Sequence, residues 1–170
     1  MPSLSTSSNI RIFAEQLEAY RKKTHKRLDL ARQELAKKTL AKLVSKSPVL
    51  TGQYIRGHKV SLNSRSQDVG TAPATLKMRK NPLKGKQIGT NIGVDRRSIE
   101  MSVKGKGLQT IMQAKYDDVI YISNNVPHRF FVEFLGWPNV PAYHVYGMTK
   151  LEMQAQAKAI VKAYENKKIP

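Results

Sequence analysis

The sequence predicts an α+β fold: a long N-terminal helix, a small antiparallel-dominated sheet with short helices, and a C-terminal helix packed on the sheet. Three observations lead there. Residues 9–46 carry apolar side chains at helical spacing, the middle of the chain alternates short β-branched runs with turn residues, and residues 145–167 return to a helical pattern. The element order reads α, β, β, β, α, β, α, α. At 170 residues the chain is long enough for one domain and too short for two, and it holds no internal repeat, so residues 1–170 are expected to form one domain.

The first helix follows Ser7 and Ser8 and runs on Ile10, Phe13, Leu17, Tyr20, Leu28, Ala31, Leu35 and Leu43, with Arg, Lys, Glu and Gln between them. Residues 1–8 are expected to be a flexible N-terminus. At 1.5 Å per residue the helix would reach on the order of 55 Å, longer than a compact domain of this size uses. Part of its stripe is therefore expected to pack on another chain. Pro48 ends it, because proline disfavours helical geometry at Ser47 and has no N–H for the ladder. Thr51-Gly52 reads as a turn in which Gly52 supplies positive φ. Residues 54–62 suit a short helical turn and then a strand carrying Val60 and Leu62.

Residues 64–87 have Gly, Pro, Ser and Asn throughout and no periodicity, which predicts a long basic loop. Lys77, Arg79, Lys80, Lys84 and Lys86 crowd within it and are the expected partner-binding residues. Ile92 and Val94, a polar turn, then Ile99, Met101 and Val103 predict a hairpin over 92–103. Leu108, Ile111 and Met112 suggest a short helix, and "DVIYISNN" a central, well-buried strand. Phe130, Phe131 and Phe134 give residues 127–135 a helical stripe, broken by Gly136, Pro138 and Pro141. The last helix is expected to run on Met148, Leu151, Ala155, Ala159 and Ala163.

Charge and composition narrow the function. Thirty Lys and Arg stand against 12 Asp and Glu, a formal net charge of +18, which implies an anionic partner. There is no Cys, hence no disulfide and no thiolate metal site. The start "MPSLSTSSNIR" has no apolar core of a secretory signal, and no run reaches the length of a membrane span. "KGKGLQT" lacks the Lys-Ser/Thr of a phosphate loop and reads as a basic turn. His25, His58, His128 and His144 are scattered without ligand spacing, and Asp117-Asp118 suits a turn before a strand. No nucleophile elbow is present. Catalysis, metals and cofactors are not expected. No zinc finger, RNA-recognition sheet or helix-turn-helix can be placed, although the "RKKTHKR" cluster at 21–27 could touch phosphates or simply face water.

Three blocks in order resemble the tail-completion (neck) proteins of long-tailed double-stranded-DNA phages. That family's pattern is a Pro-Val-Asp-Thr-Gly turn with a nearby Leu-Arg, later Asn-Xaa-Pro-Tyr-Ala leading to Val-Glu-Phe-Gly, then Pro-Ala before a final helix. Pro48, Val49, Thr51, Gly52 and Arg56 match the first block. Asn125, Pro127, Val132, Glu133, Phe134 and Gly136 match the second, and Pro141 and Ala142 the third. Leu50 stands where the family prefers Asp, His128-Arg129 replace Tyr-Ala, and Leu135 is inserted before the glycine.

The resemblance implies a virion protein assembled in the host cytoplasm. It would form a homo-oligomeric ring, a hexamer, at the head–tail junction, between neck and tail-terminator or connector proteins. No membrane is involved. The basic loop would then face an acidic neighbouring ring or the packaged DNA. The alternative is a nucleic-acid-binding protein acting through its lysine-rich helix and loop. Glu133, set among Phe130, Phe131 and Phe134, is expected to pair with Arg56 or accept from the Thr51-Gly52 amides, unless it faces water.

Overall fold

The computed structural model describes residues 5–48, 52–70, 95–136, 138–165 and 167. Its elements are α1 (Ser5–Lys46), α2 (Gln53–Arg56), β1 (His58–Leu62), α3 (Arg96–Gln113), β2 (Ile120–Asn124), a π-helical turn (Phe131–Leu135) and α4 (Val145–Glu165). The α+β class holds. β1 and β2 pair antiparallel, with His58 opposite Asn124 and Leu62 opposite Ile120. Val49 and Thr51 of the turn, and the five basic residues Lys77 to Lys86, lie outside the described residues.

The C-terminal half of α1 is the spine. Ala36, Leu40 and Val44 bury against Ile55 of α2 and Ile99 and Ile111 of α3. Leu43 packs with Tyr54, Val126, Val132 and Val145, while Ala31 meets Met153 and Ile160 of α4. α4 lies along α1 and reaches the sheet through Tyr146, beside Ile122 of β2. Lys42 and Lys46 both pair with Glu152, tying α1 to α4 outside this core. Those two ammonium groups hold the Glu152 carboxyl down at about 2. Arg32 of α1 clasps the turn after α3, donating to the Tyr116 carbonyl at 3.1 Å and to that of Asp118.

Four expectations about these elements need correction. Of the segment expected as a hairpin over 92–103, residues 96–103 are the first half of α3, and Ile92 and Val94 lie outside the described residues. Ile99, Val103, Gly107 and Ile111 stand four apart on the inward side, and Asp95 caps the helix by accepting from the Arg97 N–H at 3.0 Å. Arg96, Glu100 and Lys104 add an i, i+4 ladder on the same helix. The apparent alternation at Met101 was an accident of composition, for Met101 is exposed.

The strand read from "DVIYISNN" is half of a two-stranded sheet and not a central strand. It is buried only at Ser123 and Asn124. The apolar stripe of the last helix is also turned: Val145, Thr149, Met153 and Ile160 face inward, and Met148, Leu151, Ala155, Ala159 and Ala163 face outward.

"KGKGLQT", expected as a basic turn, lies inside α3. There the second glycine has a packing reason. A Cβ at Gly107 would stand 2.3 Å from Leu40 Cδ2 and 2.9 Å from Val60 Cγ2, so α3 crosses α1 and β1 at a point with no room for a methyl. Gly105 has open space around its Cα.

Gly107→Ala is therefore expected to destabilise the fold by about 1–3 kcal/mol through overpacking. Gly105→Ala should stabilise it by about 0.5–1 kcal/mol, since only the backbone entropy of glycine changes. Paired denaturant melts check both, and equal behaviour of the two variants would refute the crossing.

Candidate functional site

The stretches that carry the first two blocks meet at the end of α1, where Leu43 and Tyr54 pack with Val132, and the third folds onto the second at Gly136. Pro48 follows its last turn. Gly52 sits at φ 70°, in the left-handed region, and its carbonyl accepts from the Arg56 N–H at 3.0 Å to close α2. Gly136 also has φ 70°, and a Cβ there would lie 2.3 Å from the Val140 carbonyl oxygen. Pro141 and Ala142 thus fold closely over it, and the Tyr143 N–H donates to the Val132 carbonyl at 2.8 Å.

Glu133 is the buried charge of this region, 8% exposed. Its Oε1 accepts from the Tyr54 hydroxyl at 2.5 Å, and its Oε2 accepts from the Tyr146 backbone N–H at 3.1 Å. These donors differ from the expected Arg56 guanidinium and Gly52 amide, and Thr51 lies outside the described residues. Arg56 instead lines a groove on the α3 side, with Val60 and Val103. Burial, then the bond to Glu133, pushes the Tyr54 phenol far above its ordinary range. Tyr146 is raised as well, by burial and then by the Glu133 charge. Both tyrosines therefore stay protonated donors.

The inward aim of Glu133 depends on the π-helical turn. Its Gly136 N–H reaches back five residues to the Phe131 carbonyl at 2.7 Å. That wide turn points Val132 and Glu133 inward together. Phe130, Phe131 and Phe134, the helical stripe read from the sequence, face outward, 54%, 45% and 65% exposed.

A second buried chain of hydrogen bonds runs beside the first. Ser47 donates to the Leu43 carbonyl at 2.6 Å, so its oxygen is free to accept from His58 Nε2 at 2.7 Å. His58 Nδ1 then accepts from the Tyr146 hydroxyl at 3.0 Å. Burial lowers the His58 pKa to about 4, keeping the ring neutral. The residues that do this work, Tyr54, His58, Asn124 and Tyr146, carried no motif in the sequence. Asn124 donates to the Tyr54 carbonyl at 2.9 Å and accepts from the Val126 N–H at 3.2 Å.

Among the described residues no group of three His, Asp or Glu side chains could hold a metal ion, and no helix is long and apolar enough to cross a membrane. Asp118 plays the expected turn role, accepting from the Lys115 N–H at 2.6 Å and from the Asn63 amide. His25 stacks on Tyr116 with centroids 4.0 Å apart. The chain matches no protein-family model, no curated protein and no solved structure.

Removing the phenol hydroxyl leaves a buried carboxylate one donor short. Tyr54→Phe should cost about 1–3 kcal/mol. Glu133→Gln should also destabilise, and the double variant should cost clearly less than the sum, since both remove one bond. Additive losses in equilibrium unfolding would refute the coupling.

His58 predicts a pH dependence. Its folded pKa lies below the 6.5 of the unfolded chain, so the unfolded state takes up the proton first as pH falls. The contribution is complete above pH 6.5 and is lost as pH drops toward 4, on the order of 2 kcal/mol by pH 5. Denaturant midpoints measured between pH 7.5 and 4.5 should show this slope, and His58→Gln should flatten it.

Proposed function

We propose that the protein is a structural subunit of the tail-completion (neck) class of long-tailed phages, forming a six-membered ring at the head–tail junction. One observation carries the assembly reading: two helix faces are apolar and exposed, with no partner among the described residues. Ile10, Phe13, Leu17 and Tyr20 line one such face of α1, between 58% and 68% exposed. Met148, Leu151, Ala155, Ala159 and Ala163 form the outward stripe of α4. Exposed apolar stripes of this length mark interaction surfaces.

The two faces differ in the way a ring requires. A ring interface is heterologous, so each subunit must present two unlike surfaces that fit each other. The α1 arm carries large side chains, and the α4 stripe is mostly alanine, which lets a neighbouring helix approach closely. The arm of one subunit seats on α4 of the next.

The phage assignment rests on the three sequence blocks and is supported by the close packing of the third block, Pro141 and Ala142, over Gly136 of the second. The inserted Leu135 is also accounted for: one extra residue before the glycine is what a π-helical turn absorbs without rotating Val132 and Glu133 outward.

Light scattering and electron microscopy of the purified protein should give a closed ring. Phe13→Asp with Leu17→Asp should yield folded monomers, as should Leu151→Asp with Ala155→Asp. Mixing the two variants should produce dimers and nothing larger, because only one intact arm and one intact stripe remain per pair. A wild-type monomer at high concentration that binds DNA tightly would overturn the ring in favour of the nucleic-acid reading.

A further inference from the structure

A cleft of about 410 Å³ opens above the Glu133 knot, lined by Tyr54, Ile122, Ser123, Tyr146 and two arginines, Arg65 and Arg129. It shares no residue with the two helix faces of the ring contact. The arginines come from distant segments, yet both donate to the same neutral oxygen. Asn125 Oδ1 accepts from Arg65 at 3.4 Å and from Arg129 at 3.0 Å. Arg129 also donates to the Asn124 carbonyl at 3.3 Å. Neither guanidinium has a carboxylate partner among the described residues. Two like charges drawn together on an uncharged acceptor repel each other, and an anion between them removes that cost.

The cleft holds a further unmet group. Ser123 is 5% exposed, and its hydroxyl bonds to no protein atom. A buried polar group without a partner is uncommon and calls for a ligand atom.

We propose that this cleft receives a carboxylate side chain of an acidic segment on another protein, gripped by Arg65 and Arg129 with Ser123 donating from the wall. The planar fork of arginine matches a carboxylate bidentately. The walls are aromatic and aliphatic, and Glu133 lies at the base, so a monoanion on an apolar stem fits better than a doubly charged phosphate. The volume suits one side chain and not a strand of nucleic acid.

The surroundings suit a protein as well. Arg129 and Glu133 share their segment with the exposed Phe130, Phe131 and Phe134, giving the aromatic and arginine mixture of interface hot spots.

Titrating isotope-labelled protein with N-acetyl-Phe-Glu-amide, N-acetyl-Phe-Gln-amide and inorganic phosphate tests this, following the Arg65 and Arg129 Nε–H signals. The Glu peptide should move both signals saturably, with an affinity at least about tenfold above the Gln peptide and phosphate. The Arg65→Gln, Arg129→Gln double variant, checked for an unchanged melt, should lose that response. Repeating the titration on the Leu151→Asp, Ala155→Asp variant separates the cleft from assembly, because binding should persist there. No saturable shift, equal response to both peptides, or a stronger response to phosphate would overturn the proposal.

Discussion

A carboxylate placed in an apolar interior must be given donors, and at Glu133 those donors come from both ends of the chain. Tyr54 belongs to α2, just beyond α1, and the Tyr146 N–H is one of the first-turn amides of α4 that have no acceptor within their own helix. One side chain thus meets a phenol and a helix start at once. The negative charge also sits favourably at the positive end of α4. Leaving either donor out would expose the full desolvation cost of the carboxylate, so α2, the π-helical turn and α4 can adopt only a narrow set of relative positions.

The neighbouring backbone features serve that placement. Positive φ at Gly52 turns the chain into α2, and positive φ at Gly136 lets Val140 and Pro141 return over the π-helical turn. Gly57 allows the Asn124 amide to lie against the backbone, where a Cβ would come within 2.3 Å of its oxygen. Asn124 then ties β2 to α2 through the Tyr54 carbonyl. The small sheet is stabilised less by its own ladder than by these side-chain bonds at its buried end. That is expected of a two-stranded sheet, which is marginal alone.

α1 links this tightly specified end to a surface that the subunit leaves uncovered. From Ala31 onward the helix is packed by α3, α4 and α2. Before Thr24 its described side chains are exposed, though their spacing is as regular as in the packed half. A helix that long would fray as an isolated chain, and its packed half supplies the nucleus from which the arm extends. The outward alanines of α4 and the outward phenylalanines of the π-helical turn are equally poor choices for a solvent face. Together with the start of α1 they are the exposed apolar faces on which the proposed assembly rests.

The sequence by itself determined the class, the long first helix and its stop at Pro48, the left-handed turn at Gly52, the strand at 58–62 and the last helix. Each follows from local chemistry: side-chain periodicity, proline's missing donor, and glycine's freedom at positive φ. It also singled out Glu133 as a residue needing partners. Only the tertiary structure decided who those partners are, because Tyr54 and Tyr146 carry no local signal and become donors through approach across 79 and 13 positions. Facing was decided there too. Apolar stripes on α4 and at Phe130 to Phe134 were legible as stripes, but periodicity cannot distinguish a face turned to the core from one left for a neighbour. The same limit explains the hairpin misread at Ile99, Met101 and Val103. A two-residue and a four-residue period share positions 99 and 103, and the packing of Gly107 against Leu40 and Val60 selected the helix.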